Sequence, residues 1–149
     1  MSSPSSEASS LPTASGLSKA GLRALILVVE RNPIVQRLER FFLEQAGFQV
    51  EFVGDGLFAL ERVRELKPEI LVTEILVPKL DGLSLCRILK SDHDTREIRV
   101  LVFSHLHAED RAREARADAF LLKPLNEDLL IKTVKNLIAL RQKSAGGDS

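Results

Sequence analysis

Residues 24–53, ALILVVERNPIVQRLERFFLEQAGFQVEFV, pass from a short apolar run through a longer stretch with helical spacing to a second short run. Such a change of period is the signature of a strand–helix–strand unit. Asn32 has the chemistry of an N-cap, Pro33 suits the first helical position, and Gly47 supplies a stop. Apolar residues recur at Ile34, Leu38, Phe41, Phe42 and Ala46, which are expected to form the helix's inward stripe.

The pattern repeats along the chain. Ala24 to Val29, Gln49 to Val53, Ile70 to Thr73, Val100 to Phe103 and Ala119 to Leu122 read as five parallel strands covered on both faces. Asp55 opens a second helix carrying Leu57, Leu60, Val63 and Leu66, and Pro68 closes it. Asp81 precedes a third with Leu83, Leu85, Cys86 and Leu89. Ala108, Ala112 and Ala115 give a fourth helix a thin stripe. Leu130, Val134, Leu137 and Ile138 give the fifth a wider one. Right-handed crossovers with helices on both faces favour a doubly wound α/β sheet in the flavodoxin-like order 2-1-3-4-5.

The 149 residues, 44% of them apolar, suffice for one core. Twenty-one basic and 21 acidic residues cancel, so no overall field draws the chain to nucleic acid or an anionic membrane. Cys86 is the single cysteine, which excludes an internal disulfide and favours a reducing compartment, with the cytoplasm as the expected location. Residues 1–22 are rich in serine and proline and are expected to be a flexible tail without a secretory h-region. Residues 23–141 form the expected domain, and 142–149 a second flexible tail. No apolar run approaches the ~18 residues of a membrane span.

In sheets of this kind, ligands and chemistry gather at the carboxyl ends of the strands. Those ends carry Glu30 and Arg31, Glu74, Ser104, and Lys123 followed by Pro124. Carboxylates beside a hydroxyl and an ammonium are the means of placing a phosphoryl group or a metal on an acidic side chain.

The segments ILVVERNPIVQRLERFFLEQAGFQV (26–50), ILVTEILVPKLDG (70–82), VLVFSHLH (100–107) and ADAFLLKPLNEDLL (117–130) resemble the receiver (CheY-like) domains of bacterial response regulators. The resemblance covers about residues 24–140. It implies a hydroxyl role for Ser104, a lysine role for Lys123, an aromatic switch at Phe120, and a loop at Pro78, Asp81 and Gly82. Two departures fall on the chemistry. Glu74 stands where the family has its phosphoacceptor aspartate, and Glu30 with Arg31 stands where it has the acidic pair that holds Mg²⁺.

A guanidinium removes a ligand and adds a repelling charge, so Mg²⁺ affinity should collapse, and no cofactor is expected. The extra methylene of Glu74 displaces the carboxylate from in-line geometry, so phosphoryl transfer should fail. The expectation is a receiver-like interaction module, an atypical pseudo-receiver that is not an enzyme. Arg31 or Lys123 would pair with Glu74 in place of the metal, and Glu74 would imitate a phosphorylated aspartate. The alternative is a working receiver phosphorylated by a histidine kinase with Mg²⁺, and a flavodoxin-like cofactor binder stands third.

Arg116 in EARAD occupies a position where the family often has glycine, which implies strain if the backbone there is left-handed. His105 and His107 read as surface residues and Cys86 as a buried apolar group. Partners are expected to be signalling proteins meeting the face of the fourth helix, fifth strand and fifth helix, including Arg111, Arg113 and Phe120. Nucleic acid and membrane are not expected, and a homodimer stays open.

Overall fold

The computed structural model describes residues 23–147, with side chains to residue 140. The reading of residues 1–22 as a tail lies outside them, as do residues 148 and 149. Five strands, β1 (Leu25–Val29), β2 (Gln49–Val53), β3 (Ile70–Thr73), β4 (Arg99–Ser104) and β5 (Ala119–Leu122), form one parallel sheet in the order β2-β1-β3-β4-β5. Helices α1 (Pro33–Gln45), α2 (Gly56–Leu66), α3 (Gly82–Ser91), α4 (Glu109–Glu114) and α5 (Glu127–Gly147) make the crossovers. The doubly wound order expected from the βα alternation is the one found. No helix among the described residues is long and apolar enough to cross a membrane.

Local signals place the helix starts. Asn32 Oδ1 accepts the amides of Ile34 and Val35, Asp55 that of Phe58, and Asp81 those of Leu83 and Ser84. Gly47 (φ 98°) turns the chain out of α1, while Lys67 adopts the left-handed cap of α2. The last helix runs to Gly147, past the boundary at 141 read from the sequence. Arg141, Gln142, Lys143, Ser144 and Ala145 contain no breaker, and glycine first appears at 146.

Two cores flank the sheet. Leu27, Leu71, Val100 and Val102 face α2, α3 and α4, through residues such as Val63, Leu85, Cys86 and Ala112. Ile26, Val28, Val72 and Leu101 pack against Leu43 of α1 and Leu130, Val134 and Leu137 of α5. Ala108, Ala112 and Ala115 are buried as expected, as are Leu83, Leu85, Cys86 and Leu89. The two edge strands are exceptions among strands expected to be covered on both faces: β2 leaves Gln49 exposed and Val50 to Phe52 half-buried, and β5 leaves Leu122 exposed and Ala119 to Leu121 half-buried.

The inward stripe of α1 differs from the expectation. Ile34, Leu38 and Phe41 are 63%, 43% and 57% exposed, whereas Glu39 and Leu43 are buried and Val35 packs against the core. Two apolar stripes of helical period share this helix, and the one that meets the sheet carries Val35, Leu43 and Ala46. In α2, likewise, Ala59 and Val63 face inward and Leu57 is exposed.

Candidate functional site

The parallel register brings the ends of β1, β3, β4 and the β5–α5 connection to one rim of the sheet. Glu30, Glu74, Ser104 and Lys123 meet there, and all four are buried. Lys123 Nζ donates to Glu30 Oε1 at 2.6 Å and lies 3.0 Å from Glu74 Oε1, so one ammonium joins two carboxylates. The same ammonium lies 5.4 Å from the ring centre of Phe103 on β4. The Lys123–Pro124 peptide that begins the connection is cis.

Backbone amides, and at Glu74 the Ser104 hydroxyl, hold the two carboxylates further. Asn32 N donates to Glu30 Oε2 at 3.0 Å, and Gln36 Nε2 donates to the Glu30 carbonyl. Ile75 N donates to Glu74 Oε2 at 2.7 Å, Leu76 N approaches it at 3.4 Å, and the Ser104 hydroxyl donates to the same oxygen. Ser104 Oγ in turn accepts Leu106 N at 3.1 Å. Gly82 permits the closeness of the following loop: a Cβ there would lie 2.2 Å from the Glu74 carbonyl oxygen.

Burial by itself pushes the Glu74 carboxyl up, but the bonds from Ser104 and Lys123, the ammonium's charge and the Ile75 amide outweigh it. The group lies below its ordinary range and is ionised. Burial likewise opposes the charge on Lys123, and contacts with Glu30 and Glu74 reverse this, holding the ammonium above its usual range. The site is therefore a triad in which one ammonium bridges two acidic side chains.

Arg31 is exposed and makes no ion pair among the described residues; it lines the mouth of a cleft of about 420 Å³ with Pro33, Leu76 and His105. Of the two cations offered by the sequence, Lys123 is the one that reaches Glu74. Two carboxylates already share an ammonium, the adjacent side chain is a guanidinium, and no three metal-ligating side chains cluster among the described residues. His105 and His107 are exposed. Phe120 is half-buried against the core and borders a groove of about 680 Å³ with His107, Arg111 and Leu122. Arg113 pairs with Asp110 and Glu109. Arg116 has φ 70°, so the left-handed backbone is present, and its guanidinium donates to Ser91 Oγ.

Glu39 was not singled out by the sequence reading. It lies on the inward face of α1, 1% exposed, and its Oε1 accepts no hydrogen bond among the described residues. Burial first, then repulsion from Glu30, raises its carboxyl to about 8 despite the attraction of Lys123, and Glu74 adds to the rise. The register Val35–Glu39–Leu43 carried the signal, masked by the more apolar Ile34–Leu38–Phe41 stripe.

The sequence matches the response regulator receiver domain over residues 26–135. It is 29% identical over 116 residues to the polar-differentiation response regulator DivK of Brucella anthropi, covering 76% of this chain and 94% of that protein. Among solved structures, a receiver domain of a signal transduction histidine kinase from Syntrophus aciditrophicus superposes with TM-score 0.73 at 33% identity, covering 78% of this chain and 90% of that one. A putative response regulator from Chloroflexus aurantiacus gives TM-score 0.75 at 27% identity, covering 78% and 98%. The order of strands, the residues gathered at their carboxyl ends and these matches together make the chain a member of the response regulator receiver domain family.

Proposed function

We propose that this chain is a receiver domain that signals without being phosphorylated, its conformation held by the Glu30–Lys123–Glu74 triad. The observation that carries the reading is that the Glu74 carboxylate already accepts the Ser104 hydroxyl and the Ile75 amide and pairs with Lys123. By the resemblance, the hydroxyl and the lysine are groups that a phosphorylated aspartate would engage. Glu74 supplies one negative charge and two oxygens against nearly two charges and three oxygens for a phosphoryl group, so the imitation is of position more than of charge. The ammonium takes the electrostatic place of Mg²⁺, and no cofactor enters.

Signalling proteins meet the groove between α4 and β5, where Phe120, Leu122 and Arg111 supply apolar contact and a cation. The cytoplasm is the location this reading assigns. The competing reading is a receiver phosphorylated on Glu74 by a histidine kinase; among the matched structures, a cyanobacterial phytochrome response regulator, 25% identical, is described as phosphorylated.

Exposing the chain to a small phosphodonor with Mg²⁺ and weighing it by mass spectrometry separates the two. No mass gain is expected. A stoichiometric acid-labile phosphate on Glu74 sinks the proposal. The double change Glu74→Asp with Arg31→Asp is expected to restore Mg²⁺ binding and phosphate uptake.

A further inference from the structure

One flank of α1, off the face that meets the sheet, carries a row of apolar side chains. Ile34, Leu38 and Phe41 follow at spacings of four and three, and Gln45 continues the row after four more. That rhythm is the seam of two helices packed side by side, and not the wider stripe a helix turns to its own core. All three apolar members are exposed. Single exposed apolar side chains are ordinary, but a row at this spacing along about 20 Å of helix marks a surface that meets another helix. The Phe41 ring stands edge-on to Phe42 at 5.6 Å, which carries the row into a cleft of about 500 Å³ between α1 and α5, lined by Phe42, Ala46 and Ile131.

We infer that this flank joins two copies of the chain, with α1 lying antiparallel to α1 of the second copy across a two-fold axis. The charges bordering the seam select that occupant. Helices α1 and α5 both start at the carboxyl rim of the sheet and pack on the same side of it, so they run in the same direction. On one border Arg37 lies toward the rim and Glu44 two turns further from it. On the α5 border Glu127 and Asp128 lie toward the rim, and Lys132 and Lys135 away from it. All six are exposed. Arg37 makes no ion pair among the described residues, and Glu44 meets Arg40 of its own helix at 3.3 Å with both side chains about half exposed. A two-fold axis across the helices sets the rim end of each border against the far end of the same border on the second copy. Arg37 then faces Glu44, and Glu127 with Asp128 faces Lys132 with Lys135, each twice over. A surface that complements itself in this way fits a second copy of the same chain.

The size of the patch sets the strength of the pairing. Two neighbouring helices, each about 10 Å across and met over about 20 Å, offer a footprint of roughly 400 Å². That is below the ~800 Å² per partner of a standard interface, so a reversible dimer with micromolar affinity is expected. Helix α4 packs on the opposite side of the sheet, so the pairing leaves the groove between α4 and β5 open. The inference does not rest on the proposed role of the triad and stands whether or not Glu74 takes up phosphate.

The test is sedimentation velocity of the full chain from about 1 μM to about 1 mM, a span that brackets micromolar affinity. The native chain is expected to pass from monomer to dimer across it. Leu38→Glu and Phe41→Glu, which bury an unpaired carboxylate on each copy, are expected to weaken the dimer roughly 100-fold or more. Both positions are exposed, so an unchanged circular dichroism spectrum is expected to accompany the loss. Arg37→Glu alone should weaken it about 10-fold, and Arg37→Glu combined with Glu44→Arg should restore it, because the pair is only exchanged across the axis. Leu57→Glu, an equally exposed apolar position on α2, is expected to leave the dimer unchanged. A monomer at every concentration gives the row to some other occupant and overturns the inference. A dimer that survives Phe41→Glu, one lost equally with Leu57→Glu, or a double charge exchange that pairs no better than Arg37→Glu overturns it as well.

Discussion

Replacing Glu39 by leucine should make the protein more stable, by an amount that depends on pH. The carboxyl titrates at about 8 in the folded chain against an ordinary value of 4.5. A raised acid pKa means the folded state holds a proton that the unfolded chain has lost. Stability is therefore undiminished below 4.5, falls as pH rises, and reaches its full loss above 8. At 1.36 kcal/mol per pH unit, keeping Glu39 costs about 1 kcal/mol at pH 5, about 3 kcal/mol at pH 7 and about 5 kcal/mol above pH 8.

Leucine removes that cost and adds roughly 1.5–3 kcal/mol of apolar burial at every pH. Urea denaturation followed by circular dichroism at pH 5, 7 and 8.5 isolates the pH-dependent part, which is free of the burial gain. The difference in stabilisation between pH 5 and pH 7 should be about 2–3 kcal/mol, or roughly 10 °C in Tm for a domain of this size. The acid limb has the opposite origin: Glu74 lies below its ordinary range in the folded state, so its contribution is lost as pH falls through the folded value. The two limbs put maximum stability near about pH 5. A Leu variant stabilised equally at pH 5 and pH 8.5 would refute the argument, because Glu39 would then be titrating as a hydrated carboxyl.

Removing the shared ammonium with Lys123→Met leaves Glu30 and Glu74 facing each other, and should cost about 3–5 kcal/mol at pH 7 and less in acid, measured by chemical denaturation. Arg116→Gly relieves a left-handed residue at the end of α4, and should raise stability by about 1 kcal/mol with the triad unaltered, read by thermal unfolding. Gly82→Ala drives a methyl against the Glu74 carbonyl, and should both lower Tm and shift the Ile75 amide.

Much of the fold is legible in the residues because its determinants are local. The starts of α1, α2 and α3 are written in single capping side chains, Asn32, Asp55 and Asp81, whereas α4 has no side-chain cap, and each strand is a short, largely apolar run. The α1 register was misread for the converse reason. Ile34, Leu38 and Phe41 make as good a helical stripe as Val35, Leu43 and Ala46, and the choice between them is made by the sheet below and not by the helix itself. That misreading also hid Glu39, since a glutamate between arginines reads as solvent-facing until its neighbours are known.

The sequence by itself determined the βα alternation, the strand order, and the identities gathered at the strand ends, Glu30, Glu74, Ser104 and Lys123. Period, capping and chain connectivity suffice for those. Tertiary structure decided which cation answers Glu74. Arg31 is covalently adjacent to Glu30, yet Lys123, 93 residues away from Glu30, fills the position. Alternate strand-end residues point to opposite sides, and the β5–α5 connection folds its lysine into the rim while Arg31 turns to the mouth of the cleft. Only the assembled fold also buries the Glu39 carboxyl on the inward face of α1, where the loss of water raises its proton affinity.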